Sequence, residues 1–130
     1  MKSLKIPTNA DLPAVIRLAK NFHAASPYKT LSFDREKVRE FAQSIIDSDK
    51  TEKIAILAME DDKPVGLIAG YTARPLFSKE LISYELMWWV EPEYRHLKHG
   101  LLLIQAYEDW ALRVGCKYVI GATLGEIFPE

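Results

Sequence analysis

Apolar side chains recur in the first half of the chain at the spacing of two amphipathic helices. One stripe follows Asp11, which we predict to cap a helix that has Pro13 in its first turn and breaks at Ser26-Pro27. A second stripe follows a second predicted cap, Asp34. Because side chains three and four positions apart share one helix face, both segments are predicted to pack on a core. The stripes are Leu12, Val15, Ile16, Ala19 and Phe22, and then Val38, Phe41, Ala42, Ile45 and Ile46.

Short apolar runs separated by turn residues predict strands. Leu4 and Ile6 lie in a first short strand that ends at Pro7. The runs 54–59 and 64–71 flank the polar turn 60–63 and read as a hairpin. A long aromatic strand is predicted at 81–90 and a last strand at 117–121.

A third helix is predicted between these last two strands, ending at Gly115. Its core face consists of Leu103, Tyr107, Trp110 and Val114. The order is strand, helix, helix, three strands, helix, strand. This alternation predicts an α/β (α+β) fold in which a central sheet carries helices on both faces.

Composition narrows the class of protein. The 130 residues, 48% of them hydrophobic, are predicted to form one domain spanning 1–130. A net charge of −1 gives no reason to expect nucleic-acid binding, and no apolar run is long enough for a membrane span. The single cysteine, Cys116, and the lack of an apolar leader favour a reducing, cytoplasmic location. His23, His96 and His99 lack metal-ligand spacing, so no metal site is expected.

The junction between the 81–90 strand and the third helix is the most informative segment. The strand enters a turn marked by Pro92, a cationic stretch begins at Arg95, and Gly100 opens the helix. Such a strand–loop–helix presents backbone N–H groups and a helix N-terminus to a phosphate-bearing ligand. The alternative is a solvated basic turn that caps a core helix. The register of strand, arginine and glycine favours the phosphate-binding interpretation.

The same segment resembles the acyl-CoA-binding core of the GNAT superfamily of N-acetyltransferases. In that family an apolar-Val-x-Pro-x-Tyr-Arg run precedes a pyrophosphate loop of the form Arg/Gln-x-x-Gly-x-Gly/Ala. Arg95 and Gly100 match its first and last positions, and Lys98 stands at the middle glycine. The tryptophan pair before Val90 is similar to that of small acetyltransferase-like proteins from tailed phages. The resemblance implies a GNAT-like mixed sheet, acetyl-CoA as co-substrate and an amine acceptor.

The resemblance also implies roles for particular residues. Glu85 is the expected general base, because burial in an apolar strand would raise the pKa of its carboxyl group. A solvent-facing or ion-paired Glu85 is the alternative. The N–H of Val90 is expected to polarise the thioester carbonyl. The tryptophan rings are expected to pack on opposite faces of the sheet. The expected cofactor-binding residues are Trp88, Trp89, Val90, Arg95, His96, Leu97, Lys98, His99, Gly100 and Leu101.

Two classes of function follow from the resemblance. The first is an N-acetyltransferase that acts by direct attack of the amine on acetyl-CoA. The second is a catalytically degenerate binding or inhibitory module of the same fold, of viral origin, favoured by Lys98 in place of glycine. The family continues with another helix and two strands, for which residues 122–130 leave no room. The chain is therefore expected to be short, to be a fragment, or to have its sheet completed by a homodimer or partner chain.

Overall fold

The computed structural model describes residues 1–121, which form one five-stranded sheet in the order β1-β2-β3-β4-β5. The first four strands pair antiparallel, and β5 pairs parallel with β4. The strands are β1 (Lys2–Lys5), β2 (Lys53–Glu60), β3 (Lys63–Ala73), β4 (Leu81–Val90) and β5 (Cys116–Gly121). The helices are α1 (Leu12–Ala25), α2 (Arg35–Ile46) and α3 (His99–Arg113). The predicted mixed α/β fold is confirmed.

The core is divided between the two faces of the sheet. Helices α1 and α2 cover one face, and the predicted apolar stripes supply Val15, Ile16 and Ile45 to that cluster. Helix α3 covers the other face with Leu103 and Tyr107. Burial of one apolar stripe per helix is the main source of their stability, since helices of this length are marginal alone. Among the described helices, none is both long and apolar enough to span a membrane.

The predicted helix caps differ in outcome. Asp34 caps α2 as expected, because its Oδ1 accepts the backbone N–H of Lys37 at 3.0 Å. Asp11 stands at the N-cap position of α1 but makes no side-chain cap bond there. Its Oδ2 instead accepts the N–H of Thr8 at 2.8 Å, which closes a preceding short 3-10 turn. At the other end, Gly115 follows α3 with φ 98°, the left-handed conformation expected of a helix-terminating glycine.

A bulge in β4 determines which face of the sheet each side chain around Glu85 occupies. Gly70 of β3 pairs with Glu85, but the preceding residue, Ala69, pairs with Met87, so Leu86 is an extra residue in β4. Without a bulge, successive side chains of a strand alternate between faces. Here Leu86 and Met87 both line a cleft on the α1/α2 face. The bulge lies in the middle of β4, before the tryptophan pair.

Two sequence expectations concern segments next to the site. The segment expected to be a loop after β4 is a 3-10 helix, Pro92–Leu97, because Pro92 presets φ for a first helical turn. Strand β5 pairs with β4 only from Leu81 to Glu85 within residues 1–121. Residues 122–130, on which the expected shortness of the chain depends, lie outside the described residues.

Candidate active site

The loop between β4 and α3 has the backbone expected of an anion site. Lys98 adopts φ 72° and ψ 17°, the left-handed conformation, and stands directly before α3. Left-handed residues in such turns direct successive N–H groups to one side. The first N–H groups of α3, from His99 to Leu101, have no acceptor within the helix, and they carry the positive end of its dipole. The glycine-like turn is therefore present although the residue is lysine.

Arg95 fixes this loop to the end of β4. Its Nε donates to the carbonyl of Val90 at 2.9 Å, and its guanidinium lies 4.6 Å from the centre of the Trp89 ring. A guanidinium that both donates and stacks is held more tightly than one in solvent. The sequence predicts Arg95 as a cofactor-binding residue. The structure assigns at least the anchoring role.

The backbone of Val90 faces the β5 side of the strand. The N–H of the next residue, Glu91, donates to the carbonyl of Val65 at 2.8 Å. Antiparallel residues alternate between pointing at their partner strand and pointing away. The N–H and C=O of Val90 therefore point away from β3, which agrees with the Arg95 bond to its carbonyl. This is the direction in which a ligand between β4 and β5 would lie.

The two tryptophans lie on opposite faces of the sheet, as expected. Trp89 packs edge-on against Phe22 of α1, with ring centres 6.3 Å apart. The Nε1 of Trp88 donates to the carbonyl of Gly100 at 3.2 Å, so this indole ties β4 to the start of α3. Both rings hold the loop between strand and helix in place. Gly100 is buried, and its φ is not positive, so this glycine does not form a left-handed turn.

Glu85 is buried, with 2% of its surface exposed, on the α3 face of the sheet. Ser83, two residues earlier on the same face, is hydrogen-bonded to the hydroxyl of Tyr107, and the charge of Glu85 acts on that tyrosine. The solvent-facing alternative for Glu85 is therefore wrong. Glu85 also lies opposite Gly121, the last described residue of β5, directly before the bulge. This places a carboxylate where the described pairing of β4 with β5 ends.

Tyr107 is fully buried beneath the sheet. Burial raises the pKa of Tyr107 to about 12; its Ser83 hydrogen bond opposes this shift, and the negative charge of Glu85 adds to it. Tyr107 thus stays protonated at neutral pH. Sequence reasoning placed it only on a core face and missed its contact with the Glu85 region. The available signal was Gly70, an isolated glycine in an apolar strand, which marks a close approach.

The side chain of His99 is turned inward and away from the loop. Its ring is fully buried, and its Nε2 lies 3.0 Å from Oε1 of Glu60 on β2. The Met1 ammonium, 2.9 Å from the other oxygen, and secondarily His99, hold the pKa of Glu60 below its usual value despite an opposing desolvation effect. The imidazole is therefore engaged in the interior, and only the backbone N–H of His99 remains a candidate phosphate donor.

The remaining candidates lie at the surface of the loop. His96, Lys98 and Leu101 are exposed, and Leu97 is half-buried. The Lys98 ammonium group, the His96 ring and the start of α3 thus lie at the surface beside the end of β4. Backbone donors, a helix dipole and the positive Lys98 side chain together suit a diphosphate group. The structure brings the predicted loop residues together, with the His99 imidazole as the exception.

Solved structures of similar fold include several N-acetyltransferases. AAC(6')-Iy, solved with a bisubstrate analogue of CoA and monomethyl-acetylneamine, aligns with TM-score 0.79 and 16% identity over 97% of this chain and 82% of its own. Glucosamine-6-phosphate N-acetyltransferase from Arabidopsis thaliana aligns with TM-score 0.75 and 14% identity over 97% and 84%.

An aminoglycoside acetyltransferase from an uncultured soil metagenomic sample, solved with sisomicin, aligns with TM-score 0.71 and 20% identity over 95% of this chain and 78% of its own. No curated protein sequence matches this chain significantly. At these identities the structural likeness establishes the fold alone. The sequence profile of the Acetyltransferase (GNAT) family matches residues 18–126, and the chain therefore belongs to that family.

Proposed function

We propose that the protein is an acetyl-CoA-dependent N-acetyltransferase that transfers the acetyl group directly to an amine. The observation that carries the proposal is the left-handed Lys98 at the start of α3. This residue keeps the loop backbone in a conformation that glycine adopts freely, directly before the first N–H groups of the helix, which lack acceptors within it. The family match and the CoA complex of a neighbour, AAC(6')-Iy, support the same assignment.

In the proposed arrangement the diphosphate lies on the backbone of residues 98–101, with His96 and Lys98 beside it. The Val90 N–H, directed away from β3, donates to the pantetheine arm or to the thioester oxygen. The thioester supplies an activated carbonyl carbon. The amine nitrogen forms the new C–N bond as the C–S bond breaks, and CoA leaves as its thiolate and takes up a proton. Glu85 accepts the proton that the amine must lose.

Calorimetric titration with acetyl-CoA, CoA and desulfo-CoA tests the proposal. We expect micromolar binding of all three, because the loop contacts the diphosphate and not the sulfur. We expect Lys98→Glu to weaken each of them, since it reverses an exposed charge without altering a buried contact. Leu112→Ala, at an exposed position near the far end of α3, is the matched control. Lack of binding at millimolar acetyl-CoA would overturn the proposal.

The second candidate is an inactive binding module of the same fold, viral in origin and recognising a protein partner. Lys98 is the observation that favours it, because a side chain stands where the family has glycine. The same titration separates the two, since a module of this kind would not bind acetyl-CoA. The cytoplasmic location and a partner chain beside β5 belong to these proposals as well.

A further inference from the structure

The α1/α2 side of the sheet contains an apolar cleft of about 500 Å³. Small-molecule sites typically enclose roughly 300–1,000 Å³, with mostly hydrophobic and aromatic walls and a few polar groups. The walls here come from both helices, from the connection between them and from three central strands. Val15, Phe22, Phe33, Phe41, Leu86 and Met87 are among the side chains that form them.

The cleft extends to the bulge of β4. Leu86 and Met87 both line it, and Glu85 directly precedes them in the chain. The Glu85 carboxyl group lies on the opposite, α3 face, so the cleft meets the proposed site through Phe22, which lines it and packs against Trp89, next to Val90. At its other side it reaches Tyr28 and Phe33 in the connection between α1 and α2. A ligand in the cleft would therefore lie close to the end of β4, where we place the thioester.

The cleft does not suit a highly charged ligand. Among the described residues that line it, Asp34 is the only carboxylate and Lys37 the only lysine or arginine. Asp34 already accepts the N–H of Lys37 at the start of α2, and the His23 ring is hydrogen-bonded to the carbonyl of Leu31 at 2.7 Å. A polycationic amino sugar needs several unengaged acceptors or carboxylates to replace its water. Aromatic and aliphatic walls instead bind an apolar group.

We propose that this cleft binds the apolar part of the acceptor, a primary amine that carries one aromatic ring or compact alkyl group. The inference rests on the proposed transferase function. The rim favours an acceptor over the acyl chain of the donor, because Tyr28 and Phe41 are 52% and 43% exposed and leave the cleft open to solvent. Neither Val90 nor residues 95–101, which are proposed to hold the donor, line the cleft.

Amine binding measured without cofactor tests the inference separately from the transferase function. The probes are 2-phenylethylamine, ethylamine and the aminoglycoside kanamycin, each titrated at millimolar concentration into the full chain and followed by NMR. We expect 2-phenylethylamine to bind at least about tenfold more tightly than ethylamine, because only the former has a ring to bury. We expect its shifts to centre on Phe22, Phe41 and Met87, and we expect kanamycin to give none there.

Ala19→Phe supplies the blocking variant, because Ala19 lines the cleft from α1 and is not fully buried. It should weaken 2-phenylethylamine binding about tenfold or more while acetyl-CoA binding is retained. Phe41→Ser, at the exposed rim, is a second variant for the case in which Ala19→Phe does not fold. Leu76→Ala is the control, since Leu76 is exposed and lies outside the cleft.

Equal binding of ethylamine and 2-phenylethylamine, or unchanged ring-amine binding in both variants, would overturn the inference. Transfer of long acyl chains from their CoA esters that is lost in Ala19→Phe would also overturn the inference. The cleft would then bind the acyl chain of the donor. Binding of 2-phenylethylamine at the cleft without any acetyl-CoA binding would support the proposed ligand class but overturn the proposed transferase function.

Discussion

Lys98 occupies a backbone conformation that lysine adopts at a cost. Its φ of 72° brings Cβ close to the backbone, which costs roughly 1–2 kcal/mol for a residue other than glycine. Lys98→Gly should relieve this strain but add freedom to the unfolded chain, for a net stabilisation of about 0.5–1 kcal/mol. Urea unfolding at pH 7 measures the difference. A lower urea midpoint in Lys98→Gly than in the parent protein would contradict the backbone strain proposed for Lys98.

Lys98→Ala separates the backbone of this residue from its charge. Alanine keeps Cβ and the positive φ but removes the ammonium group. It should therefore show no gain in stability, while any loss of acetyl-CoA affinity in Lys98→Ala reports the charge alone. If both variants stabilise the protein equally, the left-handed conformation is not the cause.

Glu85 is the residue whose chemical role depends most on burial. Glu85→Gln keeps the size of the side chain and removes its ability to accept a proton. If Glu85 is the general base, turnover at neutral pH should fall by about 10²–10⁴-fold, with little change in acetyl-CoA affinity. Steady-state rates together with calorimetry give both quantities. Equal rates in the variant and the parent would remove Glu85 from the mechanism.

The packing of β3 against α3 depends on Gly70. A Cβ built at this position lies 1.9 Å from the hydroxyl oxygen of Tyr107 and 2.7 Å from the carbonyl of Tyr84. Because the carbonyl belongs to the paired strand and cannot move freely, Gly70→Ala should destabilise the protein by about 3 kcal/mol. Thermal and urea unfolding measure this. Gly115→Ala, with φ 98° but open space around it, should cost only about 1–2 kcal/mol.

Combining Gly70→Ala with Tyr107→Phe tests which contact dominates. The phenylalanine removes the nearest clashing atom, so the double variant should be more stable than the sum of the single effects predicts. Additive effects would show that the contact with the Tyr84 carbonyl is decisive. Either result shows how tightly α3 packs against β3 at Gly70.

The stability of the whole molecule should respond to Tyr107 at alkaline pH. The pKa of Tyr107 is raised from 10.0 to about 12 in the folded protein, chiefly by burial. Between these values the unfolded chain loses the proton and the folded chain keeps it, so stability present below pH 10 is lost as the pH rises. The loss from this group should approach about 2–3 kcal/mol. Urea unfolding across this range measures it.

Tyr107→Phe should lower stability at pH 7, because the Ser83 hydroxyl loses its partner, but it should show a shallower decline above pH 10. Tyr118→Phe is the matched control, since Tyr118 is 58% exposed. It should follow the decline of the parent protein. Identical slopes in all three proteins would mean that Tyr107 does not determine alkaline stability.

Local signals were sufficient to predict the helices α1 to α3 and the order of the strands. The predicted strand 81–90 agrees with β4, and Gly115 ends α3 as expected. These features depend on side-chain periodicity, on Pro92 and on glycine, which act within a few residues of the chain. The proposed phosphate loop could be located for the same reason, because strand, loop and helix are consecutive.

The sequence by itself thus determined the order of elements, the core stripes and the position of the loop, because each depends on neighbours along the chain. The tertiary structure decided what depends on contacts between distant segments. Pairing with β3 set the bulge at Leu86 and turned Glu85 towards α3. The buried His99 ring lies against Glu60 of β2, and the packing of α1 and α2 leaves the apolar cleft open. Strand register and helix packing are set by such long-range contacts, which no local pattern encodes.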